Sequence, residues 1–384
     1  MNTRIGIDIL EPRRVYRGPA ILSAGHRPFF LAAGIWAAAG LALWVCALAG
    51  RVPLTASWHG HEMLFGFAVA AIAGFLTAAV PKWTNGETIP GTRLSLLLAL
   101  WLAGRVAMIA GTATWLDLLF LPTFAGFIFA DIFRARNKRN YQVPGMLFAL
   151  AGLNALYHFY DATLALHAAT YLITAFIALI GGRIVPGFTQ NALRMAGRRE
   201  VTCRSPRWLE PIAVPSVVLV VLAELLAPDT WLSAGAAAFA GIVLLVRMKG
   251  WHSLSTYRMP IVWILHVGYV WVPVGYLLKA ASGFGIDFVP PSAALHALTA
   301  GAIGTMILAV ASRAALGHAG LPLKVSRWTV LAYLLVIAGA VLRVAVPHPH
   351  AMMLAGALWS LGYAIFAVVY FPILTRPRVD GLPG

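Results

Sequence analysis

Eleven histidines in a chain of 384 residues, 60% of them hydrophobic, are the side chains best able to do chemistry here. Imidazole suits iron, copper and zinc. His59, His61, His158, His167 and His296 fall near one depth of the apolar segments set out below, and His266 lies inside another segment, flanked by Trp263 and Tyr269. These six are the candidate metal ligands. No cysteine lies beside them, and carboxylates are few, with Glu62 and Glu224 the nearby ones. That donor set disfavours soft-thiolate and all-oxygen metal sites. It fits haem held by histidine, with copper as the second candidate. His59 and His61 differ by two positions, which on a helix is a rotation of about 200°. They cannot chelate one metal from one face. They serve two centres, or one is a ligand and the other an outer donor with Glu62. Arg105 is the basic residue set well inside an apolar run, where a guanidinium calls for a buried carboxylate or a haem propionate. His59, His61, His296 and Arg105 are therefore the candidate haem-binding residues. His26, His252 and His318 sit beside basic loops and read as solvated or headgroup-facing, and His348 and His350 as loop residues.

Such residues must be held by elements that the composition dictates. Only 11% of the chain is charged, against about 25% in soluble proteins. The mean hydropathy of +0.80 excludes a soluble enzyme, a disordered chain and a disulfide scaffold. Apolar runs between polar or Pro/Gly breaks give twelve segments, at 29–49, 60–80, 94–113, 115–134, 143–160, 164–184, 210–227, 230–247, 259–280, 292–312, 328–346 and 351–373. Helices are expected, because lipid cannot satisfy open backbone groups. The fold expected is all-α: a polytopic membrane protein of twelve transmembrane helices in one domain, 1–384. Its N-terminal segment is 1–28 and its short tail 374–384.

The net charge of +16 fits this reading without nucleic acid. Counting residues at segment ends with their loops, 25 Lys and Arg lie with the termini and the loops of one side. The other side holds three, Arg51, Lys279 and Arg343. Such asymmetry places both termini in the cytoplasm. Cys46 and Cys203 then fall on opposite sides and should not pair. With no CxxCH motif, covalent c-type haem is not indicated, leaving a b-type haem. No cleavable signal peptide is expected either, since the first 28 residues carry five Arg and no continuous apolar core. Trp58, Trp83, Trp115, Trp208, Trp231, Trp251 and Trp328 fall near segment ends, as an interfacial belt would.

A short echo runs through the chain. Segment two ends Ala79-Val80-Pro81-Lys82-Trp83-Thr84, segment six Ile184-Val185-Pro186-Gly187-Phe188-Thr189, and segment ten Ala309-Val310-Ala311-Ser312-Arg313. These segments are four apart and each carries histidine toward its other end. Three four-helix arcs around a central pocket would give this layout.

The run WHGHEMLFGFAVAAIAGFLTAAVPKWT (58–84) resembles the signature of the NnrS family. So do HRPFFLAAG (26–34), GGRIVPGFTQNALRM (181–195), YRMPIVWILHVGYVWVPVG (257–275), HALTAGAIGTMILAVASRAALGH (296–318) and PRVDGLPG (377–384). The likeness spans nearly the whole chain in order. It implies a haem- and copper-containing protein of the bacterial inner membrane, linked to nitric oxide metabolism and relief of nitrosative stress. Matching histidines are His59, His61, His266, His296 and His318, with His158 in the family-like NALYH. Two positions depart: His26 stands where the family often has Phe, and Lys82 where Asn is expected. A more distant likeness is to the large subunit of haem–copper oxidases and nitric oxide reductases, whose second-helix motif would put His59 on a low-spin haem. That subunit's helix-seven His pair has no counterpart in the seventh segment here, so a standard oxidase copper centre is not expected.

The expected function is haem binding, with or without copper, in nitric oxide metabolism or relief of nitrosative stress; reduction of nitric oxide by an oxidoreductase of the nitric oxide reductase type and a non-catalytic lowering of free nitric oxide are both left open. The lipid bilayer, nitric oxide, and a quinol or other electron donor are the expected partners. Alternatives are a secondary transporter, for which Gly74, Pro273, Gly301 and an intramembrane Arg would suit, and a non-catalytic haem-based sensor or assembly protein.

Overall fold

The computed structural model describes residues 18–86 and 91–380. Residues 1–17 of the N-terminal segment and 381–384 of the tail lie outside the described residues. The chain is helical throughout, with no strand among the described residues. Among the described residues twelve long helices follow in order: α1 (His26–Leu48), α2 (Ala56–Thr84), α3 (Thr92–Ala110), α4 (Thr114–Arg134), α5 (Gln142–Phe159), α6 (Ala162–Met195), α7 (Arg207–Leu226), α8 (Trp231–Arg247), α9 (Pro260–Gly283), α10 (Pro291–His318), α11 (Arg327–Ala345) and α12 (Pro349–Thr375). Each of the twelve apolar segments falls on one of them. Ten are long and apolar enough to cross a membrane. The other two are α8, with 17 residues, and α5, whose 18 residues include Gln142, Asn154 and His158.

Local chemistry sets the helix ends. Thr55, Asp161, Thr230 and Ser326 accept the free backbone N–H groups at the starts of α2, α6, α8 and α11. Proline opens α9, α10 and α12, where its missing N–H costs nothing. Asn85 closes α2 in the left-handed conformation, at φ 50°.

Burial sorts the helices into two shells. The most buried are α2, α6 and α10, whose apolar stretches are 72, 78 and 67% buried, with α9 next at 61%. They touch one another along the middle of the bundle. The others pack around them, chiefly as sequence neighbours, and α1 closes against α12. Leu102, Val106, Phe133, Leu222, Ile242, Leu334 and Val368 stand exposed on this outer shell. In water they would be a liability; against acyl chains they are the expected surface.

The three inner helices share a second property. Each contains a π-helical stretch: Glu62–Ala68 in α2, Ile177–Gly181 in α6 and Ala297–Gly304 in α10. Such stretches disturb the backbone ladder, and in an apolar interior a loose carbonyl needs a donor. Donors come from neighbouring helices. Trp101 Nε1 donates to Gly66 O (3.0 Å), Arg247 Nη1 to Ala178 O (2.6 Å), Trp359 Nε1 to Ala300 O (3.2 Å) and Tyr363 Oη to Gly304 O (2.6 Å). The four-helix spacing of the sequence echo thus coincides with the spacing of the π stretches and of the inner helices.

Candidate functional site

A cavity of about 390 Å³ opens among the inner helices near one end of the bundle. Its walls come from the starts of α2, α6, α10 and α12 and the ends of α1 and α11. Most of the wall is apolar, including Leu41, Met63, Phe67, Leu295 and Met352. Among the lining residues the ionisable groups are His59 on α2, His167 on α6, His296 on α10 and Arg343 at the end of α11. One histidine from each inner helix therefore reaches the same space.

The ring nitrogens of these histidines are not equivalent. His59 stacks flat on Trp44, with centroids 4.9 Å apart and planes 9° apart, and its buried Nδ1 has no hydrogen-bond partner among the described residues. His296 donates from Nδ1 to the Ser292 carbonyl at 2.7 Å. That bond puts the proton on Nδ1 and leaves Nε2 with its lone pair, the tautomer of a metal-ligating histidine held by an outer partner. His167 is committed differently, with Nδ1 3.5 Å from Glu224 Oε1. Glu224 is buried, and its other oxygen receives Lys279 Nζ at 2.8 Å and Ser233 Oγ at 3.1 Å.

Beside the cavity wall lies a buried polar network. His61, two residues beyond His59, turns away into it. Its Nδ1 is 3.0 Å from Glu62 Oε1, and its Nε2 is 3.0 Å from Asp117 Oδ2 and 3.1 Å from Asn154 Oδ1. Arg105 donates to Glu62 at 2.6 Å and to Asp117 Oδ1. Asn154 Nδ2 donates to Asp117 Oδ2 at 2.7 Å, and His158 Nε2 lies 3.3 Å from the same oxygen. Helices α2, α3, α4 and α5 are tied together here through side chains almost wholly removed from solvent. Gly66 makes room for the guanidinium, since a Cβ there would fall 2.8 Å from Arg105 Nη1 and 2.6 Å from Trp36 Nε1. One nitrogen each of His61 and His158 and one oxygen of Asp117 lie within 4.8 Å of one another, a spacing that could hold a metal ion.

The six candidate ligands thus separate. His59, His167 and His296 meet at the cavity, and His61 and His158 meet in the network. His266 joins neither. It is buried, with Nε2 2.8 Å from Thr189 Oγ1 and Nδ1 2.9 Å from Ser253 Oγ, so both ring nitrogens are occupied by hydroxyls. Arg105 meets two carboxylates and does not line the cavity; the arginine that does is Arg343. Sequence reasoning missed Asp117, which opens the apolar run of α4, and treated Arg343 as a loop charge. Asp117 carries the one signal that could have found it: a carboxylate within a segment, at the depth of His61 and His158. His26, read from the sequence as solvated or headgroup-facing, is buried, and its ring lies against that of His318 (centroids 4.4 Å, planes tilted by 34°), with Lys82 Nζ 3.4 Å from His318 Nε2.

Comparison with known families gives a match to the family described as NnrS protein, over residues 20–378. The chain belongs to the NnrS family. No curated protein matches it.

Proposed function

Starting from membership of the NnrS family, we propose that this protein binds haem in the cavity between α2, α6 and α10, holds copper in the adjoining polar network, and acts on nitric oxide in the bacterial inner membrane. One observation carries the haem reading: His59 and His296, each with an uncommitted ring nitrogen, line one largely apolar cavity. Its volume lies in the ~300–1,000 Å³ range of cofactor pockets. His59 and His296 would hold the iron. Arg343 is the basic group at hand for a propionate. Two imidazoles and a carboxylate from His61, His158 and Asp117 fit copper, and exchange of a metal for the proton shared there would leave Arg105 still paired with Glu62. Haem iron bound in the cavity would supply an electron-exchanging centre, which nitric oxide would reach only by taking the place of one of the two imidazoles.

The chain's own residues do the rest. The Ser292 carbonyl fixes the His296 tautomer. Trp44 holds the His59 ring in one plane. Glu224, held by Lys279 and Ser233, orients His167 at the cavity wall. Arg105 places one guanidinium between Glu62 and Asp117 and offsets both carboxylates beside His61. Reduction of nitric oxide to nitrous oxide also needs electrons, which a quinol or another membrane donor would supply. In this reading all twelve helices cross the bilayer as three arcs of four, each arc contributing one inner helix and one cavity histidine, with both termini in the cytoplasm.

The test is a reduced-minus-oxidised visible spectrum with metal analysis on purified protein. Stoichiometric haem and iron are expected, lost in His59→Ala and in His296→Ala. Absence of iron and of any haem band would refute the reading. Anaerobic nitrous oxide formation with a competent donor then separates turnover from binding alone.

A further inference from the structure

Below the histidine-lined cavity, α2, α6 and α10, with Phe30 of α1, line a second, smaller and half-open space of about 80 Å³. The two spaces differ in chemistry. The first is edged by histidines, an arginine and several hydroxyls. Every side chain lining the second is hydrocarbon or thioether: Ala71 and Phe75 from α2, Ile177 and Ile180 from α6, Ile303 and Met306 from α10 are representative. Ile303 lines both, so one side chain stands between them.

Size and lining together select the occupant. A water molecule needs ~10–15 Å³ of such space but also two to four polar partners. The second space offers room for several waters and no partner for any, and ions are excluded more strongly still. Apolar cavities of this kind stay dry and take up xenon or small hydrocarbons. The π stretches of α6 and α10 lie at this level, and Arg247 and Tyr363 donate to their carbonyls. On the α1 side, Gly74 lets the Phe30 ring lie against α2, where a Cβ would fall 2.7 Å from it.

We propose that this space is a dry, half-open chamber that holds a small, neutral, apolar gas molecule one side chain away from the histidine-lined cavity. It rests on the reading above in one respect, that the gas in the cell is nitric oxide. Such a molecule partitions into hydrocarbon, so it reaches the chamber from the bilayer without crossing a polar barrier. Ile303 then governs its passage into the cavity.

Crystals of the full-length protein pressurised with xenon test the chamber. An anomalous difference peak is expected among Ile180, Ile303 and Met306. It should vanish in Ala71→Leu and in Ile180→Phe, which fill the space from two different helices; elution as a single species checks that each variant is folded. No peak in the wild type, or ordered water or an acyl chain in that position, would overturn the inference. So would a peak that persists in both filled variants. Xenon needs no prosthetic group. A peak in protein without iron would therefore refute the haem reading and leave the chamber standing, whereas haem-loaded protein without a peak would refute the chamber alone.

Discussion

Arg105→Leu is the perturbation that the polar network makes most informative. The guanidinium is 2% exposed and touches Glu62 and Asp117, so two carboxylates on two helices depend on one cation. Removing it leaves both acids in an apolar interior, Glu62 against His61 and Asp117 against His61, Asn154 and His158. Breaking a buried pair from one side costs about 3–5 kcal/mol. At 1.4 kcal/mol per tenfold, the ratio of folded to unfolded protein falls roughly a hundredfold to several thousandfold. Reversible denaturant titration of the purified protein, followed by tryptophan fluorescence, measures this. Leucine fills much of the lost volume, so the loss is electrostatic in origin. The triple variant Arg105→Leu, Glu62→Gln, Asp117→Asn should recover most of it, because a neutral network has no charge left uncompensated. A single variant within about 0.5 kcal/mol of wild type, or a triple variant no better than the single one, would refute the reasoning.

Two further outcomes follow from sites away from the network. His318→Ala should keep its full haem complement. It lies 22 residues beyond His296 on α10, about 33 Å along the helix, and a clear loss of haem on spectroscopy would overturn its placement. Cys203, in the loop between α6 and α7, has its thiol pushed up by burial, so less thiolate exists at neutral pH than for a free cysteine. Its labelling by a membrane-impermeant maleimide should be slow at pH 7, should keep rising above about pH 9, and should occur only in inside-out vesicles. Fast labelling at neutral pH, or labelling in right-side-out vesicles, would count against the burial and the cytoplasmic side respectively.

Helix positions were legible in the sequence because a spanning helix must be apolar along its whole length, and each apolar run did become a helix. Depth was legible as well, and His59, His167 and His296 do meet at one level. Rotation was not legible for a chain apolar on every face, where neither 3.6-residue periodicity nor a polar stripe marks the side facing in. Only the two-residue spacing of His59 and His61 carried rotational information, and there the chain puts one ring in the cavity and its near neighbour in the network. The same blindness hid Asp117 and Arg343. Each sits at a segment end, where a charge reads as a loop residue, and only packing shows that both turn inward. For His266 the sequence marks an imidazole inside a segment but not its partners, since Thr189 lies 77 residues away and Ser253 sits in the short loop before α9.

The π stretch of α2 begins one residue after His61. It has a consequence for how such a helix could arise or be lost. One residue in excess of the regular winding offsets the two halves of a rod by about 100°. The cavity-facing donor and the stripe of Ala70, Ala73 and Val80 packed in the bundle then answer to different angular origins. Excising one residue from Glu62–Ala68 would restore ordinary winding and bring the halves into phase. His59 would swing out of the cavity while the lower half stayed seated. The chain carries that extra residue in three rods at once, so its chemistry is written in angular offset as much as in residue type.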